Sequence, residues 1–143
     1  MVFGRRRFDQ QPTAPAAVRR ARELAAGGPV AVLSILKIYG STFGLPNPGL
    51  LPTRREREEQ FANVQKAISQ LERSGCKADG QIAATRSAGR MIAKVARVRQ
   101  VRVVVMDDST ESGVRRVIEG SVTSIVRRRL AGRADIELVS AAR

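Results

Sequence analysis

Val30 to Leu36 (Val-Ala-Val-Leu-Ser-Ile-Leu) is an almost unbroken apolar run of strand length. A strand that is apolar on both faces needs cover on both, the condition of a parallel strand held between two helical layers. Val101 to Met106 (Val-Arg-Val-Val-Val-Met) is a second such run. Around these two, helical segments alternate with strands. Ala14 to Ala26 places Ala17, Val18, Ala21, Leu24 and Ala25 on one face, with Thr13 as cap and Gly27-Gly28-Pro29 as stop. Gly40 to Thr53 is broken by Gly and Pro and reads as loop. Arg54 to Ser74 repeats Phe61, Val64, Ile68 and Leu71 at helical spacing, and Gly75 ends it. A weaker strand interrupted by Gly80 follows over Lys77 to Ala84. Ser87 then caps a helix to about Arg97 that buries Met91, Ile92 and Val95. Val114, Val117, Ile118, Val122, Ile125, Val126 and Leu130 mark a last helix face, and Asp135 to Val139 a closing strand.

This alternation predicts an α/β fold, a three-layer α/β/α sandwich around a mostly parallel sheet with right-handed crossovers. Residues 14–143 would form the single domain, preceded by a flexible basic arm over 1–13. No strand is expected before the first helix: Met1-Val2-Phe3 is short, and Arg5-Arg6-Arg7 would fill a central strand poorly. In such a sheet ligands sit beyond the carboxyl ends of the strands, where the loop Asp107 to Gly113 would lie.

Composition removes several chemistries. The chain has no His, so a Ser-His-Asp triad, a Cys-His pair and a His-ligated metal are excluded. The single Cys76 cannot form an intrachain disulfide, and no apolar run approaches the roughly 20 residues of a membrane span. The basic start lacks the apolar stretch of a secretory signal, which predicts a cytoplasmic protein. Five aromatics, Phe3, Phe8, Tyr39, Phe43 and Phe61, are too few for base-stacking platforms.

From Gln100 to Val139 the sequence resembles the universal stress protein family. The resemblance rests on the strand ending in Val105-Met106, a short loop, Glu119-Gly120-Ser121-Val122-Thr123 opening a helix turn, and a final strand. Weaker matches carry it over roughly residues 14 to 140: Ser87 to Ile92 as the third helix, the Pro-rich loop as the variable insertion, and Val30 to Leu36 as the second strand. It implies the adenine-nucleotide-alpha-hydrolase-like topology, here lacking the usual first strand between Val30–Leu36 and Val101–Met106, so that those two pair directly, the N-terminal arm is used there, or another chain donates a strand, and it implies dimerisation through the last strand. ATP-binding members carry Gly-x-x-Gly, nine residues, then Gly-Ser or Gly-Thr, which wrap phosphates in backbone amides. Alignment on Gly120-Ser121 puts Asp107 and Thr110 at the two glycine positions, and Asp108 and Glu111 add negative charge beside them. Repulsion and Cβ bulk both oppose a triphosphate, so no cofactor is expected. Gly120 and Ser121 keep the last part of the pattern, although close helix packing accounts for them equally well.

Lys and Arg number 26 against 13 Asp and Glu, a net charge of +13, and 22 of the cations are Arg. In Arg54 to Glu59 the mixed signs can pair locally as solvated helix surface. The triplet Arg5, Arg6, Arg7 and the group Arg127, Arg128, Arg129, Arg133 can serve as an anion-docking surface, for nucleic acid, an acidic protein or the cytoplasmic face of a membrane protein. Helix C-terminal position alone accounts for the second group as well. A metal held by Asp107 and Asp108 for ATP hydrolysis competes with their plainer role as turn residues. The expected function is non-catalytic: a binding or scaffold module that has lost ATP and acts through a protein partner or as a homo-oligomer. The alternative is a basic nucleic-acid- or ribosome-associated protein.

Overall fold

The computed structural model describes residues 2–5, 15–37, 53–107 and 122–139. Nine elements follow one another: β1 (Val2–Arg5), α1 (Pro15–Ala25), β2 (Pro29–Lys37), α2 (Arg54–Arg73), β3 (Lys77–Thr85), α3 (Ala88–Val98), β4 (Val103–Asp107), α4 (Val122–Leu130) and β5 (Asp135–Val139). The five strands form one sheet in the order β3-β2-β1-β4-β5, and every pairing is parallel. The predicted three-layer α/β/α architecture is what the chain adopts.

The central strand is a correction to the sequence reading, which placed residues 2–5 in an arm and expected no first strand. Val2 pairs with both Val32 and Val105, and Phe3 with both Leu33 and Met106. Neither direct pairing of β2 with β4 nor a strand from another chain is needed. The physical reason is length: β2 reaches forward to Lys37 but β4 only to Asp107, so a strand of four residues bridges them. Only its first two residues are paired on both sides, and they are the apolar Val2 and Phe3. Open backbone edges in the middle of the sheet are what this pairing removes.

Side chains alternate across the strands and build two cores. On one face Leu33, Ile35, Val104 and Met106 pack with Ile92, Ala93, Val95 and Ala96 of α3 and Val126 and Leu130 of α4. On the other, Val30, Val32 and Val105 meet Ala17, Val18 and Ala21 of α1 and Val64, Ala67 and Leu71 of α2. α2 starts on a capping box: Glu56 N–H donates to Thr53 Oγ1 at 3.2 Å and Thr53 N–H to Glu56 Oε2 at 2.7 Å. Arg54 donates to Glu58 and Arg55 to Glu59 at 2.8 and 3.2 Å, the local pairing expected of that mixed-charge stretch. Gly75, at φ +83°, closes the helix, with Cys76 N–H reaching Leu71 O and Gly75 N–H reaching Glu72 O.

Three local readings change. Phe61 is 58% exposed, and the buried face of α2 runs instead through Gln60, Val64, Ala67 and Leu71. Ser87 stands at the N-cap of α3 but makes no capping bond; its N–H donates to Thr85 Oγ1 at 3.1 Å. Gly80 does not weaken β3, which pairs with β2 over nine residues from Lys77 to Thr85. Most of the Gly40 to Thr53 loop, the helix face before Val122, and the cap at Thr13 lie outside the described residues.

Gly80 is a close-approach position. A Cβ there would stand 2.5 Å from Val64 Cγ1 and 3.2 Å from the Val32 carbonyl oxygen, so α2 rests on bare backbone. Gly80→Ala is therefore expected to cost about 1–3 kcal/mol, the usual result of overpacking, with Val64→Ala returning part of the loss. Urea unfolding of the single and double variants measures both, and an unchanged midpoint in Gly80→Ala would show that α2 does not bear on this residue.

Candidate functional site

The strand order reverses between β1 and β4, which makes the carboxyl ends of these two strands the switch point where α/β sheets bind ligands. From the pairing of Phe3 with Met106, Asp107 falls level with Gly4, and Arg5 ends β1 one residue farther on. Two residues singled out from the sequence, Arg5 and Asp107, thus terminate adjoining strands. Helix α4 begins at Val122, directly after Gly120-Ser121 in the chain. Asp108, Thr110, Glu111, Gly120, Ser121, Arg6 and Arg7 themselves lie outside the described residues.

One polar contact that the sequence reading missed lies in the sheet near this end. Ser34 of β2, level with Gly4 of β1 and Ile82 of β3, is 3% exposed, and its hydroxyl donates to Gln60 Oε1 of α2 at 2.8 Å. The signal was present: Ser34 is the one polar residue in Val30 to Leu36, and a buried hydroxyl requires a partner. Gln60 Nε2 is buried and makes no hydrogen bond among the described residues. Ser34→Ala leaves the whole Gln60 amide without a partner and is expected to lower stability by about 1–3 kcal/mol, while Ser34→Ala with Gln60→Met recovers most of it. A double variant no more stable than the single would remove this account of why Gln60, and not Phe61, faces the sheet.

Of the two groups of arginines expected to form a docking surface, Arg6 and Arg7 lie outside the described residues. Arg5 belongs to the carboxyl end of the sheet. Arg127, Arg128 and Arg129 occupy the last turn of α4, and Arg133 precedes β5, at the amino end. There Arg133 joins Arg97 and Arg102 around a cavity of about 240 Å³. Beside it a larger cavity of about 920 Å³ opens between the amino halves of β2 and β4, bordered by Lys77, Asp79, Arg99 and Arg102. The structure therefore brings Lys77 from the start of β3 and Arg133 from before β5 to the sequence cluster of Arg97, Arg99 and Arg102.

Among the described residues, Arg99 of these forms an ion pair. Its Nη1 donates to Asp79 Oδ1 at 2.8 Å and its Nη2 to Oδ2, a two-pronged pair between the turn after α3 and β3. The guanidinium holds the Asp79 carboxyl below its ordinary value, and the bond raises Arg99 in turn. Because the folded-state pKa of Asp79 is depressed, the contribution is complete above the ordinary 3.8 and is lost as pH falls through the folded value. The side chains are 34% and 61% exposed, so solvent screening limits the pair to at most about 1 kcal/mol. Asp79→Asn is expected to be less stable by no more than that at pH 7, with the difference disappearing as acid titrates the wild-type carboxyl. A difference that persisted unchanged in strong acid would assign it to something other than the ion pair.

Among the described residues no cluster of three or more His, Cys, Asp or Glu could hold a metal, and no helix is long and apolar enough to cross a membrane.

Comparison with known proteins agrees with this geometry. The universal stress protein family matches residues 8–131. A universal stress protein family structure from Burkholderia pseudomallei is 19% identical, with a TM-score of 0.66 and coverage of 99% of this chain and 95% of the other. The universal stress protein of Archaeoglobus fulgidus is 18% identical, with a TM-score of 0.64 and 96% of each chain covered. A universal stress protein solved in complex with cAMP is 14% identical, with a TM-score of 0.63 over 99% of this chain and 96% of the other. No curated protein sequence matches the chain significantly.

Proposed function

The chain belongs to the universal stress protein family, and we propose that within it this protein is a non-catalytic module that has given up ATP and works in the cytoplasm through contacts with other protein chains. The observation that carries this reading is the sequence after β4. Where phosphate-wrapping members have glycines, this chain has Asp107 and Thr110, with Asp108 and Glu111 among them. A triphosphate needs backbone amides at close approach and an electropositive surround. Two side chains at the glycine positions obstruct the approach, and three carboxylates within five residues repel the charge.

Gly120 and Ser121 retain the last step of the pattern just before α4. With only that step kept, a cyclic monophosphate such as the cAMP held by one similar protein meets fewer obstacles than ATP does. It is therefore the informative control. Isothermal calorimetry with ATP is expected to give no heat of binding at micromolar concentration, and the double variant Asp107→Gly/Thr110→Gly to gain affinity for ATP over the parent. Micromolar ATP binding by the parent would overturn the proposal. Binding of cAMP without ATP would restrict the loss to the triphosphate.

The net charge of +13 supports a second reading, association with nucleic acid through phosphate contacts without sequence selection. Material that co-purifies with the protein separates the two. A partner that survives nuclease and high salt supports protein contacts, whereas nuclease-sensitive, salt-labile material supports nucleic acid.

A further inference from the structure

We infer that the amino end of the sheet carries a binding site for a small phosphomonoester with a compact apolar body, held between the ends of α3 and α4. The inference stands apart from the proposed loss of ATP, which concerns the opposite end of the sheet.

The site is the cavity of about 240 Å³ at the starts of β4 and β5. Its floor is apolar, made by Ala96 of α3, Leu130 of α4, Val101 and Ala134. Arg97, Arg102 and Arg133 stand around it, all three exposed. Local structure brings them to one place. α3 and α4 pack on the same face of the sheet and both end here. β4 and β5 pair from Val103 and Asp135 onward, and Asp135 N–H donates to Arg102 O at 2.8 Å, so Arg102 and Ala134 enter neighbouring strands side by side. The lining residues belong to α3, α4 and the turns 99–102 and 131–134, all of them described, and none belongs to β1 or β2.

Helix C-termini present carbonyl oxygens that repel anions, but here those oxygens are engaged. Val101 N–H donates to Ala96 O at 2.9 Å and Gln100 N–H to Arg97 O at 3.1 Å, while Arg133 and Ala134 N–H both donate to Leu130 O, at 2.9 and 3.1 Å. No carboxylate lines the cavity. Asp135 begins β5, but strand alternation puts it on the side of Glu137, which reaches Arg20 of α1 on the other face of the sheet, whereas Ala134 packs with the core under α3 and α4. Three guanidiniums around one opening without a lining acid select an anion. A carboxylate offers two oxygens and is matched by one guanidinium fork; a phosphomonoester offers three oxygens and close to two charges at pH 7, enough for three forks. The floor selects the rest of the ligand. An apolar cavity of about 150 Å³ takes up one benzene ring, so about 240 Å³ holds a ring or short branched chain with its phosphate at the rim. A phosphodiester inside a nucleic acid carries one charge between two polar sugars, and the apolar floor gives it nothing.

Amide NMR titration of the full chain tests this with phenyl phosphate as the probe. Saturable shifts are expected at the amides of Val101, Arg133 and Ala134. Arg97→Gln with Arg133→Gln, both exposed, should weaken binding about tenfold or more and leave the thermal midpoint in place. Arg97→Lys with Arg133→Lys should recover only part of the affinity, because an ammonium lacks the fork. Benzoate, which lacks the third oxygen and second charge, and inorganic phosphate, which lacks the ring, should each bind about tenfold more weakly than phenyl phosphate. No saturable shift at about 10 mM phenyl phosphate would overturn the site, as would shifts at Asp107 and Val122 in place of these amides. So would equal affinity for benzoate or for inorganic phosphate, unchanged affinity in the doubly Gln-substituted protein, or displacement of the probe by duplex DNA. Micromolar ATP binding that persists in that doubly substituted protein would overturn the loss of ATP and leave this site standing.

Discussion

The sheet is held together at its middle by Val2 and Phe3, the two residues of β1 that pair with strands on both sides. To one side β2 and β3 form a continuous nine-residue ladder, and to the other β4 and β5 pair over five residues. Without β1 the two halves would be joined only by the helices that cross them. α1 is the helix above this seam, and its small inward residues Ala17 and Ala21 let it lie close to Val30, Val32 and Val105. Arg20, on its outer side, reaches Glu137 on β5 and Glu23 one turn along, which ties the seam helix to the far edge strand. Those two carboxylates raise the affinity of Arg20 for its proton.

What the sequence made legible was whatever an element shows by itself. Val30 to Leu36 is apolar on both faces because helices cover both, and Arg54 to Ser74 repeats at helical spacing because one side of α2 is buried. β1 was illegible because its role depends on its neighbours. Two apolar residues ahead of Gly4 and three arginines do not look like a central strand, yet two are sufficient when the flanking strands overlap it by so little. Gly80 misled for the same reason: its lack of a side chain weakens an isolated strand but here admits Val64. The turn of α2 that buries Gln60 in preference to Phe61 was set from outside the helix, by the hydroxyl of Ser34. At the candidate site, the residues after β4 were readable as chemistry, since charge and Cβ bulk belong to the residues themselves. The cationic group at the opposite end was readable only as the cluster of Arg97, Arg99 and Arg102, because Lys77 and Arg133 join it only through the parallel topology.

That topology also keeps the two ends apart. All five strands run the same way, so every carboxyl end lies at one edge of the sheet and every amino end at the other. Arg102 precedes β4 and Asp107 ends it, five residues apart, which at about 3.3 Å per residue is roughly 17 Å; the Debye length at physiological ionic strength is about 8 Å, so Asp107 does little to offset Arg102. At the amino end the cations Lys77, Arg97, Arg102 and Arg133 stand beside the acids Asp79 and Asp135. The proposed loss at the switch point therefore acts at one end of the sheet, and the short central strand carries it to no residue of the other.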